Sequence, residues 1–235
     1  MKTSIVIPLY NEAGNVAPLA QELSAVLPQL GEAEAILVDD GSRDTTWAEI
    51  EKAAQKHPGI RGIRCEQNGG QSSAMLIGLR AATGDVLVTM DGDLQNNPAD
   101  IPKVVALLDH VDVACGYRAK RRDTWSRRVA SRIGNGIRNV VTNDGLRDTG
   151  CSLKAFHRKC LDDLPSLNGT HRFMGAYFRL NGRSIEQIAV DHRARTHGVS
   201  KYTNLKRLPR TAFDLIGFLW YRSRVLKPIK TTTTR

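Results

Sequence analysis

The sequence predicts an α/β fold, a mostly parallel sheet flanked by helices, and three observations carry that prediction. Strand-like and helix-like runs alternate from the first residues to about residue 118. The strand-like runs are apolar throughout instead of at every second residue, as expected of a sheet covered on both faces. With 235 residues, 41% of them hydrophobic and 25% charged, the chain can bury one full core and has no bias toward disorder.

The elements follow in order. SIVIPLY (4–10) reads as the first strand, and a helix from about residue 15 ends well before Ala35. AILVDD (35–40) is the second strand, followed by a helix over 44–57 that Ser42 or Asp44 could cap. IRGIRCE (60–66) is the third, and NGGQSSA (68–74) is a glycine-rich entry to a helix over 70–82. A helix N-terminus can hold an anion, but this one lacks both GxGxxG and GKS/T and is read as structural. DVLVTMD (85–91), a helix over 100–109 and VDVACGYR (111–118) complete the alternation. From residue 119 the pattern changes to a basic helix, RRDTWSRRVASRIGNGIRNVV, then a short strand–helix passage through TGCSLKAFHRKCLDDL. A final strand in SIEQIAVDHRAR leads to an amphipathic segment, NLKRLPRTAFDLIGFLWYRSRVLKP, where Pro209 either kinks a helix or marks its start. The expected organisation is a catalytic domain over 1–202, an amphipathic, membrane-interfacial helix over 203–228 and a flexible tail over 229–235.

Charge is divided unevenly. Residues 1–100 hold 7 Lys/Arg against 14 Asp/Glu, a net of −7, whereas residues 101–235 hold 27 against 10, a net of +17. An acidic half followed by a basic one suggests carboxylate chemistry joined to a surface that meets phosphate, lipid headgroups or nucleic acid. Nucleic acid fits least: the tract from Arg118 to Arg138 carries eight Lys/Arg, but Trp125 is its one aromatic and no docking motif is present. The four cysteines, Cys65, Cys115, Cys151 and Cys160, form no CxxC pair, which points away from zinc and disulfides and toward a reducing setting. The longest membrane-like run, LIGFLWY, falls far short of the roughly 20 residues a spanning helix needs. No nucleophile elbow or Ser/His/Asp arrangement is evident, and His157, His171, His192 and His197 lack metal spacing.

In a sheet of this kind ligands sit at the carboxyl ends of the strands. Tyr10–Glu12, Asp39–Asp40 and Asp91–Asp93 all fall there, so they should share one crevice. In MDGDLQ two carboxylates flank one glycine at the end of a buried strand. Hard oxygen ligands in that pattern suit Mg²⁺ or Mn²⁺ bridging a diphosphate; a turn with two solvated acids is the plain alternative. Uncompensated charge at a buried strand end is costly, which favours an ion or substrate.

SIVIPLYNE, VDDGSRDTT, NGGQSSAMLIGLRAATGD and MDGDLQNNP stand in the order and spacing of family 2 glycosyltransferases, which have the GT-A fold. GYRAKRRD, DTGCSLKAFHR and HGVSKY resemble the subgroup that charges polyprenyl phosphates, the dolichol-phosphate mannosyltransferases and bacterial undecaprenyl-phosphate glycosyltransferases. The resemblance spans about residues 3–225. It implies that Pro8, Tyr10, Glu12 and Asp40 bind the nucleoside, and that Asp91 and Gly92 lie on the donor while Asp91, Asp93 and Gln95 hold the metal. It further implies catalytic roles for Asp93, for Arg118 near the reacting phosphates and for Asp148 beside the acceptor, although Asp148 could instead orient Arg147 or Arg118. Arg195 and Lys201 resemble a basic segment that, with Arg118, meets donor and acceptor phosphates.

The reaction so implied is inverting transfer from a nucleotide sugar, GDP-mannose or a UDP-sugar, to undecaprenyl or dolichyl phosphate. The expected place is the cytoplasmic face of a membrane, held peripherally by the terminal segment, whose nine Lys/Arg from residue 201 face one acid, Asp214. A soluble saccharide or protein acceptor is the alternative, and a basic nucleic-acid-binding protein the second.

Overall fold

The computed structural model describes residues 1–119, 136, 139–194 and 204–225, the last stretch with side chains from Phe213 onward. Seven strands form one sheet in the order β3-β2-β1-β4-β6-β5-β7. They are β1 (Thr3–Leu9), β2 (Ala33–Asp39), β3 (Ile60–Arg64), β4 (Val86–Thr89), β5 (Val113–Arg118), β6 (Lys154–His157) and β7 (Ile185–Val190). Every neighbouring pair is parallel except the two made by β6. Six strands therefore end at the same edge of the sheet, and β6 begins there.

Helices cover both faces. On one side α1 (Ala13–Val26) buries Val16, Leu19 and Leu23, α2 (Thr46–Lys56) buries Ile50 and Ala53, and α4 (Ile101–Ala106) buries Ile101 and Val104. On the other lie α3 (Gln71–Ala81), α5 (Thr170–Leu180) and α6 (Asn204–Arg224), which contribute Ala74, Leu79, Phe173, Phe178 and Phe218 to a second core. Three- and four-residue spacings of apolar residues fix which stripe of each helix turns inward. α3 lies close because Gly78 leaves room: a Cβ there would stand 2.4 Å from Val6 Cγ1 and 2.8 Å from Val38 Cγ2. Neither Ser42 nor Asp44 stands at the cap of α2, which is Thr45; the Asp44 carboxylate accepts from Thr46 N at 3.0 Å just ahead of the helix, and Ser42 Oγ accepts from Asn11 N at 2.9 Å.

The sequence reading differs from this architecture in particulars. β4 stops at Thr89, so Asp91 lies two residues beyond the strand instead of ending it. The helix expected over 100–109 is α4 between two 3-10 turns. α5 has no counterpart in the sequence reading, and α6 starts five residues before Pro209, which does not mark its beginning. Most of the expected basic helix, 120–135 and 137–138, and the tail at 229–235 lie outside the described residues.

Candidate active site

Strand parity brings the expected residues to one side. Val6 and Val38 face the α3 core, as does Leu87, so side chains two and four residues later on β1, β2 and β4 turn the same way. Those are Pro8 and Tyr10, Asp40, and Thr89 followed by Asp91. The parallel register sets Leu9 beside Asp39 and Asp39 beside Arg64, so the strand ends are level. Their loops are stitched together at this edge. Asp40 N donates to Leu9 O at 2.8 Å, Arg43 N to Asn11 Oδ1 at 2.8 Å, and Glu12 N to Thr46 Oγ1 at 2.9 Å. Glu12 itself accepts from Asn15 Nδ2 at 2.5 Å on the first turn of α1.

Asp40 is buried and faces the glycine-rich turn. Its carboxylate accepts from Gly69 N at 2.8 Å, Gly70 N at 2.9 Å and Asn68 Nδ2 at 2.9 Å, directly before α3 begins. The anion that the α3 N-terminus holds is thus the protein's own. Burial raises the Asp40 acid against the pull of the two glycine amides, and neighbouring Asp39 raises it further. Asp40 therefore shapes the wall of the crevice by fixing residues 68–70.

The DGD turn alternates like a continuation of β4. Gly92, Leu94 and Asn96 are buried, while Asp91, Asp93 and Gln95 are part-exposed. No side chain fits at Gly92, where a Cβ would come within 2.3 Å of Leu9 Cδ2. Leu94 adopts left-handed backbone, φ 62°, a strain of about 1–2 kcal/mol that is typical of functional turns. Asp91 is held by two bonds, Gln71 Nε2 donating to its Oδ1 at 2.7 Å and its own N–H donating to Ser152 Oγ at 3.0 Å, and Asn96 Nδ2 fixes that hydroxyl at 2.7 Å. Burial first, then the charge of Asp93, pushes the Asp91 acid up to about 6, against the opposing influence of Lys154, Ser152 and Arg118. A cation beside Asp91 would offset the burial and the neighbouring negative charge that raise its acid.

The donor set fits a hard cation. Among the described residues no three His, Cys, Asp or Glu side chains gather into a metal cage. An ion at Asp91, Asp93 and Gln95 would complete its shell from outside the protein, as Mg²⁺ does with one or two carboxylates and substrate phosphates.

Arg118 ends β5 at the same edge, and Asp148 holds it in a two-point grip. Nε and Nη2 donate to the two carboxylate oxygens at 2.6 and 2.8 Å, and the Arg118 amide adds a third bond at 3.2 Å. Of the two residues left open by the sequence, Asp148 therefore orients Arg118; Arg147 stacks over Tyr117 instead, 5.3 Å from the ring centre. Beyond β7, Arg193 N donates to Gln95 O at 2.8 Å, so the chain passes beside the DGD turn before reaching Arg195. Arg195 and Lys201 themselves lie outside the described residues. Gln71, Asn68, Ser152 and buried Lys154 escaped the sequence reading, although Ser152 and Lys154 sit within TGCSLKAF, whose composition alone gives no hint of contact with Asp91.

Comparisons with known proteins bear on the family and the fold. The profile of Glycosyl transferase family 2 matches residues 4–164. A dodecaprenyl-phosphate galacturonate synthase from Rhizobium johnstonii is 34% identical, covering 97% of this chain and 69% of its own length. An undecaprenyl-phosphate 4-deoxy-4-formamido-L-arabinose transferase from an Enterobacter species is 36% identical, covering 93% and 67%. A solved structure, glucosyl-3-phosphoglycerate synthase from Mycobacterium tuberculosis with Mn²⁺, uridine diphosphate and glucosyl-3-phosphoglycerate, superposes with a TM-score of 0.72 at 20% identity, over 96% of this chain and 81% of that one; at that identity it speaks for the fold. On these grounds the chain belongs to glycosyl transferase family 2, and it is a glycosyltransferase built on the GT-A fold.

Proposed function

We propose that the chain moves a sugar from a nucleotide sugar to a polyprenyl phosphate, inverting the anomeric carbon. The observation that supports this reading is that the N-terminus of α3 meets two strand-end acids, Asp40 through Gly69 and Gly70 and Asp91 through Gln71, with the Arg118–Asp148 pair at the same edge. The acceptor class rests on relatives whose names specify dodecaprenyl and undecaprenyl phosphate and which align along more than nine-tenths of the chain.

In this reading Pro8, Tyr10 and Glu12 line the nucleoside pocket, whose far wall Asp40 fixes by gripping residues 68–70. Asp91, Asp93 and Gln95 would hold Mg²⁺ or Mn²⁺, which would supply positive charge for the departing diphosphate. Arg118 supplies a fixed positive charge where negative charge develops, and Asp148 keeps its guanidinium aimed, so that little reorganisation is needed during transfer. An oxygen of the acceptor phosphate, already ionised near neutral pH, attacks the anomeric carbon from the face opposite the nucleotide. That attack needs little help from a base, so Asp148 acts as a positioning residue. Arg195 and Lys201 would add charge from the segment that follows the Gln95–Arg193 bond. The protein then works peripherally on the cytoplasmic face of the membrane that carries its acceptor; no helix among the described residues is long and apolar enough to cross one.

The test is a panel of UDP- and GDP-sugars with each metal, with and without undecaprenyl phosphate. Lipid-linked product and nucleoside diphosphate release should appear only with the lipid. Transfer to water-soluble saccharides or proteins at the same rate without lipid would replace this reading with the soluble-acceptor one.

A further inference from the structure

We infer that Arg193 is a positioning residue for the DGD turn: clamped between Glu22 of α1 and Asn97, it fixes the direction in which Gln95 faces the cation that Asp91, Asp93 and Gln95 would hold. The inference rests on that cation reading and adds to it a residue that works only through its neighbours.

The two halves of the turn after β4 are secured from different places. Asp91 is tied to α3 through Gln71 and to the loop before β6 through Ser152, and Gly92 packs on Leu9. From Gln95 onward the chain that leaves β7 takes hold. Arg193 N donates to Gln95 O at 2.8 Å, and His192 forms an isolated antiparallel bridge with Asn96. Arg193 Nη2 donates to Asn97 Oδ1 at 2.8 Å, and Asp191 N to Asp100 Oδ2 at 2.6 Å. β7 is an edge strand with β5 and β6 between it and β4, so residues 191–193 have to run back toward the turn. Glu22 anchors them there: Arg193 Nη1 donates to both of its carboxylate oxygens, at 2.7 and 2.9 Å.

These bonds set the aim of Gln95. Its N–H donates to Asp93 Oδ1 at 3.2 Å and its carbonyl accepts from Arg193, so the peptide planes on both sides of its Cα are held and the direction of Cα–Cβ is fixed with them. Leu94, directly before it, is in left-handed backbone, a conformation that persists only where the surroundings enforce it. The Arg193 and Glu22 side chains are 42% and 33% exposed, and an ion pair so open adds little to stability. What it supplies is geometry, of the kind by which groups outside a metal's own ligands orient those ligands. A direct grip on phosphate is the competing role for an arginine here. Against it, the guanidinium is already shared between Glu22 and Asn97, and its charge is met by the carboxylate.

The experiment compares the full chain with Arg193→Met, Glu22→Gln and the double variant, each checked for folding by circular dichroism and thermal melts. Mn²⁺ is titrated by electron paramagnetic resonance, UDP and GDP binding is measured by calorimetry, and hydrogen exchange is followed in the metal-free proteins. Arg193→Met should bind Mn²⁺ on the order of tenfold more weakly, as loss of an orienting partner does at other metal sites. Glu22→Gln, which never touches the turn, should move affinity the same way by a smaller factor, and the double variant should be no worse than Arg193→Met, because both changes break one clamp. Exchange of the Ala99 amide, which donates to the same Asn97 oxygen as Arg193, should quicken in Arg193→Met without any metal present. In transfer assays the Mn²⁺ concentration for half-maximal rate should rise while kcat at saturating Mn²⁺ is largely retained. Wild-type Mn²⁺ affinity in the folded variants would overturn the inference even if exchange or Tm changed, since only a structural clamp would remain. Tighter nucleotide binding in Glu22→Gln at unchanged Mn²⁺ affinity would overturn it in favour of Arg193 as a phosphate ligand. A wild type that binds no Mn²⁺, with or without nucleotide, would remove the cation reading and the inference with it, whereas equal binding by all four proteins removes the inference alone.

Discussion

If Asp148 works only by aiming Arg118, the two residues must behave as one unit in a double-mutant cycle. The perturbations are Asp148→Asn, Arg118→Met and both together. Arg118 and Asp148 side chains are 15% and 8% exposed, and their carboxylate–guanidinium contacts are 2.6 and 2.8 Å. Asn retains one acceptor and turns an amide N–H toward a guanidinium N–H, losing one or two charge-assisted bonds of about 1.5–3 kcal/mol. Asp148→Asn should therefore destabilise by about 3 kcal/mol in urea unfolding, and the double variant should cost less than the sum of the two single changes because both remove the same pair of bonds. For turnover, loss of one group placed to stabilise developing charge costs on the order of a hundredfold. Each single variant should lose about that in nucleoside diphosphate release, and the double variant no more than the worse single. Multiplicative losses, on the order of ten-thousandfold in the double variant, would falsify the positioning role and return Asp148 to independent chemistry at the acceptor.

Three further outcomes follow from the geometry. Glu34 is opposed by burial but held well below its ordinary 4.5, at about 2, by Arg61, Ser4 and Thr83. Its folded acid is depressed, so its stabilisation is present above pH 4.5 and is lost as pH falls toward 2. After allowance for screening at the part-exposed Arg61, Glu34→Gln should cost about 1–2 kcal/mol at neutral pH and flatten the urea midpoint between those limits. Gly92→Ala should destabilise by about 1–3 kcal/mol through overpacking on Leu9 and lower turnover by displacing Asp91 and Asp93, with Leu9→Ala restoring part of the stability. Asp40→Asn should cost about 2–3 kcal/mol, because an amide cannot accept from both the Gly69 and Gly70 amides, and weaken calorimetric nucleotide binding.

β1, β2 and β4 were legible because each is apolar on both faces, while β3, IRGIR, shows only Ile60 and Ile63. The reversed direction of β6 was not legible, since KAFH reads alike in either sense and its neighbours are remote in sequence. α5 stayed hidden because His171, Arg172 and Arg179 and a central Gly175 interrupt its apolar spacing; only packing against Phe156 and Phe218 reveals the buried stripe. In the site, the carboxylates announced themselves by position, but their partners did not. Asp40 read as a ligand-binding acid and the glycine-rich turn as a separate structural feature, whereas in space each satisfies the other. Asp148 and Arg118 stand thirty residues apart, a separation that leaves contact undetermined until β5 and the loop before β6 are brought together.

The central claim is that the acidic strand ends form one cation-dependent pocket for a nucleotide diphosphate, and titration of Mn²⁺ by electron paramagnetic resonance, with and without UDP or GDP, tests it most directly. Wild type should bind Mn²⁺ more tightly when the cognate nucleotide is present, and Asp93→Asn, folded by circular dichroism, should lose that gain. Equal Mn²⁺ affinity in both proteins, unaffected by either nucleotide, would contradict the account.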